Sequence, residues 1–417
     1  MIKVEKFIPG GFALGTSSEG KKMFFWNALP GETVLEYEIT KNKSSYAEAI
    51  ATSIKNPSPY RKEPKDECFL STSPWQILDY NYELEQKSLL VQEIFREHDL
   101  KIDAPEVVTD GRDYEYRNKM EYALYYDIEK AKIFPAFHAR GSHRKIPISK
   151  SSLERPEIFK KALEIIDDLN ARGEEAHKYQ SLLLRCNQNG EVSGGLYENK
   201  KPHPVFNNLK DKILGQEYSY SPNGFFQINL PVYEMALLEI KKHIVSENVL
   251  DLYAGVGTIG LSVARDKNLT LVEIDKSAFG ELCKNCGALG KALSRSINGD
   301  GPFTERLSPA TAGAKERSEK DAFLARLAKS EEALEYIAPD QTVILDPPRA
   351  GCDKKLIDKL LEVAPEKVIY LSCNPATQAR DIKLLSEKYQ IELVKTFNFF
   401  PHTPHIENLV ILERKNG

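Results

Sequence analysis

The stretch that decides the fold class is Val249-Leu250-Asp251-Leu252-Tyr253-Ala254-Gly255-Val256-Gly257-Thr258-Ile259-Gly260. An apolar strand leads into a glycine-rich turn, which lets the backbone approach a ligand closely where a helix begins. A second apolar run ends at Glu273, where a carboxylate can accept hydrogen bonds from both hydroxyls of a ribose. Such turns serve several classes of nucleotide, so NAD remains possible on this feature alone.

Apolar runs and helical patterns alternate through the C-terminal part of the chain. The runs cover 249–253, 269–274, 343–345, 368–371, 391–397 and 409–412, and the helical patterns cover 277–289, 354–363 and 375–388. This alternation predicts a doubly wound α/β domain over residues 226–417. Residues 297–335 interrupt it, and we expect a surface insertion there, with a charged amphipathic helix over 321–336.

The N-terminal half has a different pattern. Short alternating runs in residues 1–58, separated by turns such as Pro9-Gly10-Gly11 and Pro30-Gly31-Glu32, predict a small β-barrel of the oligonucleotide-binding kind. Another small β-domain would fit the same pattern. Residues 63–225 mix strand-like runs with helical patterns at 83–100 and 157–169, which predicts an α+β middle domain.

Length and composition limit the class of protein. A chain of 417 residues with 41% hydrophobic and 28% charged residues is long enough for two or three globular domains. It has no apolar run long enough for a membrane span and no secretion signal, and its six cysteines are scattered. We therefore expect a cytoplasmic protein with reduced thiols, and a monomer as the default.

A local basic surface is compatible with the formal net charge of −4. Residues 130–150 carry eight Lys, Arg and His residues, with Phe134 and Phe137 interleaved. Such a run is equally typical of a solvated face and of a surface that contacts phosphates and stacks on bases. The sequence leaves both interpretations open.

Two further motifs follow apolar runs, Asp346-Pro347-Pro348-Arg349 and Leu371-Ser372-Cys373-Asn374-Pro375. The ends of parallel strands are where open α/β sheets bind ligands, and the start of a helix lowers the pKa of a thiol. We therefore expect Cys373 to be a covalent nucleophile beside a bound methyl donor. The pair Cys283-x-x-Cys286 has no second ligand pair and does not predict a metal site.

These motifs, with Phe400-Pro401-His402-Thr403-Pro404-His405-Ile406-Glu407 after them, resemble those of the S-adenosylmethionine-dependent RNA 5-methyluridine methyltransferases. That family comprises the bacterial tRNA and 23S rRNA uracil-C5 methyltransferases. Tyr116-Arg117-Asn118-Lys119-Met120 and Phe225-Phe226-Gln227-Ile228-Asn229 resemble two of its other motifs, and residues 1–58 resemble its RNA-binding TRAM barrel. The resemblance covers nearly the whole chain.

The resemblance implies a role for each matching residue. Cys373 would attack uracil C6, which turns C5 into a carbon nucleophile, and Glu407 would then remove the C5 proton. Gln227, Tyr253, Glu273 and Asp346 would contact S-adenosylmethionine. Asp346 would also face the target base, and Arg349 would hold its loop.

The chain departs from many relatives in its cysteines. Those relatives bind an iron–sulfur cluster through four cysteines, whereas residues 63–76 here contain Cys68 alone and residues 148–153 contain none. Since a cluster needs four thiolates, we expect no cluster and no metal site.

Two alternatives stay open beside 5-methyluridine formation. One is a 5-methylcytosine RNA methyltransferase, which uses the same thiolate strategy, and the other is a non-catalytic RNA-binding factor. The sequence indicates neither whether tRNA or rRNA is the substrate nor which nucleotide is the target.

Overall fold

The computed structural model describes residues 1–203, 206–287, 303–307 and 323–415, with 303–307 described by their backbone. The chain divides into two compact units. The first contains Met1–Glu93, Gly111–Asn207 and Asn398–His405, and the second contains Ile94–Asp110, Asn208–Phe397 and Ile406–Gly417. The functional domains expected at 1–58, 63–225 and 226–417 stay predictions.

The first unit begins with a closed five-stranded barrel, which confirms the β-barrel prediction. Its strands are β1 (Ile2–Phe7), β2 (Ala13–Thr16), β3 (Lys22–Trp26), β4 (Thr33–Asn42) and β5 (Tyr46–Lys55). They close in the order β1-β2-β3-β5-β4, with β3 and β5 parallel. Met23 and Phe25 on β3 are buried on either side of the half-buried Phe24, as the period-two geometry of a strand requires.

The chain continues through three helices and seven strands, α1 (Phe69–Thr72), α2 (Tyr80–Glu97), β6 (Val107–Val108), β7 (Lys119–Asp127), β8 (Lys132–His138), β9 (Lys145–Pro147), α3 (Pro156–Ala171), β10 (Ser181–Cys186), β11 (Val192–Glu198) and β12 (Lys201–His203). Strands β12-β11-β10-β7-β8-β9 form an antiparallel sheet. Helix α3 buries Ile158, Ala162, Ile166 and Leu169, a helical stripe that packs in the same core as the sheet residues. This agrees with the α+β character predicted for the middle of the chain.

The second unit contains the remaining elements. They are β13 (Leu209–Ile213), β14 (Gln216–Tyr220), α4 (Leu230–Lys242), β15 (Asn248–Leu252), α5 (Thr258–Val263), β16 (Asn268–Glu273), α6 (Lys276–Asn285), β17 (Phe303–Leu307), β18 (Phe323–Leu327), β19 (Gln341–Leu345), α7 (Lys354–Val363), β20 (Lys367–Ser372), α8 (Pro375–Leu385), β21 (Tyr389–Phe397) and β22 (Glu407–Arg414). Strands β13 and β14 form a separate hairpin.

The large sheet has nine strands in the order β17-β18-β16-β15-β19-β20-β22-β21-β6. The five strands from β18 to β20 are parallel, and the chain builds outward from β15 in one direction before it returns to β19 on the other side. Since crossovers between parallel strands are right-handed as a rule, this reversal puts helices on both faces of the sheet, which is the doubly wound arrangement predicted. In such sheets, ligands bind where the strand order reverses, here between the ends of β15 and β19.

The amphipathic helix predicted over 321–336 is wrong. Residues Phe323–Leu327 form β18, which pairs with β16 inside the sheet, and short 3-10 turns follow at Ser330–Glu332 and Leu334–Tyr336. Phe323 and Ala325 are buried in alternation with less buried neighbours, which is a strand pattern. This part of the expected insertion 297–335 is therefore sheet interior, while residues 288–302 and 308–322 lie outside the described residues.

Among the helices of the described residues, none combines the length and the apolar character needed to span a bilayer.

Candidate active site

Three of the four predicted donor-binding residues lie at the carboxyl ends of neighbouring strands. Tyr253 directly follows β15 and Asp346 directly follows β19, two parallel strands whose register sets Leu252 beside Leu345. Glu273 is the last residue of β16, the other neighbour of β15. Parallel strands present their carboxyl ends at one edge of a sheet, so these side chains gather where the strand order reverses.

Cys373 and Glu407 complete this edge. Cys373 directly follows β20, and Glu407 is the first residue of the antiparallel neighbour β22. The ladder ends with the pair Ser372 and Asn408, so Cys373 and Glu407 are the residues that adjoin this last pair. The charge of Glu407 contributes to the raised pKa of the Cys373 thiol, as expected for two side chains close together. The thiol and the carboxyl group are therefore neighbours.

The glycine-rich turn after β15 has a backbone that few side chains tolerate. Tyr253 has φ +67°, and Gly255 and Gly257 have φ values of +58° and +89°. A Cβ at Gly257 would lie 2.5 Å from Leu282 Cδ1, so only glycine lets α6 pack against the turn. A Cβ at Gly255 would meet no atom within 4 Å, which leaves open space above the turn.

The Glu273 side chain joins this turn to the end of β16 through hydrogen bonds. Its Oε2 accepts a hydrogen bond of 2.7 Å from the Gly255 amide, and its Oε1 accepts one of 2.6 Å from the Asp275 amide. Each carboxylate oxygen has a second lone pair, so both can still accept a hydroxyl hydrogen. The residue is thus positioned to hold the turn and a ribose at the same time.

Asp251 is a buried carboxyl group beneath the turn that the sequence did not single out as a site residue. Its Oδ2 accepts a hydrogen bond of 2.8 Å from the Gly260 amide, which fixes α5 against β15. Burial raises the pKa of Asp251 to about 8, and the negative charges of Asp346 and Glu273 add to the rise. The group therefore carries a proton at neutral pH.

The expectation that a helix start lowers the pKa of Cys373 is wrong. Burial raises the pKa of this half-buried thiol to about 11, with further contributions from the charges of Glu407 and Asp346. The Arg349 guanidinium opposes the rise through its charge and a hydrogen bond to the sulfur. Loss of hydration and two neighbouring carboxylates outweigh the helix start.

The two carboxyl groups beside this thiol also hold protons strongly. Glu407 is 5% exposed, and burial together with the charge of Asp346 raises its pKa well above the usual range, against the effect of Arg349. Burial raises the pKa of Asp346 to about 7. Two carboxyl groups and a thiol thus share a poorly solvated space with the Arg349 guanidinium.

The loop after β19 is fixed to the start of α8, directly behind the thiol. The Arg349 carbonyl accepts hydrogen bonds of 2.8 Å from Asn374 Nδ2 and 3.2 Å from Thr377 Oγ1. The Cys352 amide donates to Asp381 Oδ2 over 2.9 Å. The loop that contains Arg349 is therefore hydrogen-bonded to the helix that begins directly after Cys373 and Asn374.

A buried amide network supports the strand ends that carry Cys373 and Glu407. Asn408 Nδ2 donates to Gln378 Oε1 over 2.8 Å, and Gln378 Nε2 donates to the Tyr370 carbonyl over 2.8 Å. Thr396 Oγ1 donates to Asn408 Oδ1 over 2.9 Å. Since Asn408 follows Glu407 directly, this network fixes the position of the carboxyl group relative to β20.

Comparisons with known proteins bear on the family and the fold of this chain. The model of the tRNA (uracil-5-)-methyltransferase family matches residues 207–415, half of the chain. The chain belongs to this family. An RNA methyltransferase of Fusobacterium nucleatum is 29% identical, with 99% of this chain and 95% of the relative covered, and one of Bacillus cereus is 28% identical, with 96% and 95% covered. The Pyrococcus abyssi tRNA (uracil-54, C5)-methyltransferase has a similar fold, with a TM-score of 0.69, 22% identity and coverage of 99% and 100%.

In this methyltransferase, the predicted residues fall into two groups with one exception. Cys373, Glu407 and Asp346 share one electrostatic environment, and Tyr253 and Glu273 lie at the adjacent strand ends. Gln227 is buried in the segment before α4, and its contact with a donor stays a prediction.

Polar side chains in the segment around Cys68 are hydrogen-bonded to one another. Gln76 Nε2 donates to Asp66 Oδ2 over 2.8 Å and to Ser73 Oγ over 2.7 Å, and the buried Cys68 thiol has its pKa raised to about 11 by burial and by Asp66. Within the described residues, no three His, Cys, Asp or Glu side chains are grouped to hold a metal ion. The absence of a cluster stays a prediction.

Proposed function

We propose that this protein forms 5-methyluridine in RNA through a covalent bond between Cys373 and the target base. It is an S-adenosylmethionine-dependent RNA methyltransferase of the tRNA (uracil-5-)-methyltransferase family. The observation that supports the finer proposal is that Cys373 and Glu407 adjoin the last pair of the β20–β22 ladder, with the charge of Glu407 acting on the thiol. Uracil-C5 chemistry needs these two groups together.

The residues at the ends of β15 and β16 fit the methyl donor. The open space above Gly255 leaves room for a ligand close to the backbone, and both oxygens of Glu273 keep a lone pair for ribose hydroxyls. S-adenosylmethionine supplies the transferable methyl group when it is bound. We propose that Tyr253, Gln227 and Asp346 contact it too.

The proposed reaction begins at the sulfur. Cys373 Sγ adds to C6 of uracil and turns the ring into an enolate with electron density at C5, so that C5 can take the methyl group. Glu407 then removes the proton that remains on C5, and the electrons of that C–H bond restore the C5–C6 double bond as the C6–S bond breaks. The thiolate is thereby regenerated.

The raised pKa of Glu407 suits its proposed role. A carboxylate with an ordinary pKa is a weak base, whereas burial and Asp346 give this one a greater affinity for the C5 proton. The Arg349 guanidinium acts on both Cys373 and Glu407 and favours their ionised forms. We propose that Arg349 increases the fraction of the protein in which Cys373 and Glu407 are ionised.

The target base has to leave its stack, because C5 and C6 cannot reach the thiol inside a helix. We propose that residues 1–58 and 63–225 hold the surrounding RNA while residues 226–417 perform the transfer, in the cytoplasm. Both tRNA and rRNA remain candidate substrates. The P. abyssi enzyme acts on uracil-54 of tRNA, but at 22% identity its fold alone carries over.

Trapping with RNA that contains 5-fluorouridine tests the mechanism, because fluorine at C5 blocks the final proton removal. The wild-type protein should form a complex that survives denaturing electrophoresis, and Cys373→Ala should abolish it. Cys283→Ala is the matched control, because Cys283 is also half-buried and lies on α6. Glu407→Gln should accumulate adducts on ordinary RNA.

Mass spectrometry of the nucleosides separates the alternatives. 5-Methyluridine supports the proposal, and 5-methylcytosine would assign the cytosine chemistry instead. Donor binding without turnover on any cellular RNA would indicate a non-catalytic RNA-binding factor. We also predict no stoichiometric iron in protein purified without oxygen, and one cluster per chain would contradict this.

A further inference from the structure

The N-terminal barrel carries a row of aromatic side chains on its outer face. This aromatic row consists of Phe12, Phe24, Trp26 and Tyr46. Ring centroids are 5.2 Å apart between Tyr46 and Phe24, 6.1 Å between Phe24 and Phe12, and 4.3 Å between Phe12 and Trp26. The rings thus touch in sequence across β3 and its neighbouring strands.

Three of the four rings in the row lie outside the barrel core. Phe12 and Tyr46 precede the buried Ala13 and Ala47, and Phe24 alternates with buried residues on β3. Phe12, Phe24 and Tyr46 are therefore half-buried on the outside, above the buried Trp26. Three adjacent half-buried rings on an outer face offer the flat apolar surfaces on which bases stack.

Cations surround the aromatic row. The Arg140 guanidinium lies 4.1 Å from the Trp26 ring centroid, and Lys41 Nζ lies 5.6 Å from that of Tyr46. Lys21, Lys22 and Lys43 are close by on the same strands and the adjoining turns. Glu48, which β5 places beside Phe24, pairs with Lys41 over 2.7 Å, so the carboxylate within the row is already neutralised.

Arg140 is part of the basic run at residues 130–150, for which the sequence leaves two interpretations open. It belongs to the loop between β8 and β9, and a Cβ at the adjacent Gly141 would lie 3.7 Å from Thr40 on β4. The fold of the first unit thus brings part of that run against the barrel. At Arg140 the run therefore adds a guanidinium to the aromatic row.

We propose that the aromatic row binds unpaired nucleotides of the RNA substrate, with bases stacked on Phe24, Tyr46 and Phe12 and phosphates beside the lysines. The assignment of the ligand as RNA rests on the proposed function. Stacking requires the open face of a base, which a duplex buries between neighbouring base pairs, so the row selects single strands. Arg140 and the lysines around the aromatic row carry the positive charge that attracts a phosphate backbone.

Equilibrium binding of the full chain to a fluorescent oligouridine of about twelve nucleotides tests this proposal. Phe24→Leu and Tyr46→Leu keep apolar bulk but remove the stacking face. Each should weaken binding about tenfold, and together more, while the slope of affinity against salt stays unchanged. Lys22→Gln should instead reduce that slope.

Tyr37→Leu is the matched control, because Tyr37 is a 37% exposed barrel tyrosine outside the row. It should bind oligouridine like the wild type, and thermal melting confirms that all variants are folded. Wild-type affinity in the folded Phe24→Leu/Tyr46→Leu protein would overturn the proposal, as would an equal loss of affinity for a blunt RNA duplex of the same length. Ring-dependent oligouridine binding without any 5-fluorouridine adduct would support this surface while it overturned the proposed reaction.

Discussion

Alkylation of Cys373 at different pH values tests the electrostatics of the site. Burial and two carboxyl groups raise the pKa of this thiol from 9.0 to about 11. Each pKa unit changes the thiolate fraction tenfold at neutral pH, so Cys373 should react about a hundredfold more slowly with iodoacetamide than an unperturbed thiol. Its rate should rise tenfold per pH unit and show no plateau below pH about 10.

The Arg349→Gln variant tests the direction in which the guanidinium shifts these pKa values. The guanidinium favours both the Cys373 thiolate and the ionised Glu407, so its removal should raise both pKa values. Alkylation and 5-fluorouridine adduct formation should both become slower at neutral pH, and their pH profiles should move to higher pH. Arg349→Lys, which keeps the charge, should recover part of the rate.

Mass spectrometry of peptides resolves each cysteine in this experiment, with the half-buried Cys283 as an internal reference in the same sample. Circular dichroism at each pH confirms that the protein stays folded. A plateau below pH 9 would refute the reasoning, and so would faster alkylation in Arg349→Gln.

Three further changes test other parts of the second unit. Because the raised pKa of Asp251 costs stability as pH rises from 4 towards 8, Asp251→Asn should stabilise the protein by up to about 4 kcal/mol at pH 7 and by nothing at pH 4, measured by urea unfolding. Gly257→Ala places a Cβ 2.5 Å from Leu282 Cδ1, so it should cost about 1–3 kcal/mol and weaken donor binding in calorimetry. Gln378→Met removes the acceptor of the buried Asn408 Nδ2, so it should cost about 1–3 kcal/mol and slow adduct formation, and full adduct yield at the wild-type rate would contradict its positioning role.

The sequence was sufficient to predict the strand ends that carry the site. Each of Tyr253, Asp346 and Cys373 stands directly after an apolar run that is buried in the sheet, so its location follows from a local pattern. The barrel was predictable for the same reason, since short alternating runs and turn residues specify its strands locally. The roles of the site residues stay predictions.

What the sequence missed depends on contacts between distant segments. The pKa of Cys373 is set largely by burial and by Glu407, which is adjacent only because β22 pairs with β20. The same pairing creates the Gln378–Asn408 hydrogen bonds, for which two isolated amides in sequence give no signal. Strand β18 was missed because a five-residue run can follow either a helical or a strand pattern, and its partner β16 decides between them.

The interior around Asp251 and Asp346 carries less negative charge at neutral pH than its number of carboxyl groups suggests, because burial raises their pKa values to about 8 and about 7. Alkaline solution ionises both groups and brings negative charge into a poorly solvated interior. The conditions that favour the Cys373 thiolate therefore also increase the electrostatic repulsion that a polyanionic RNA meets on entry.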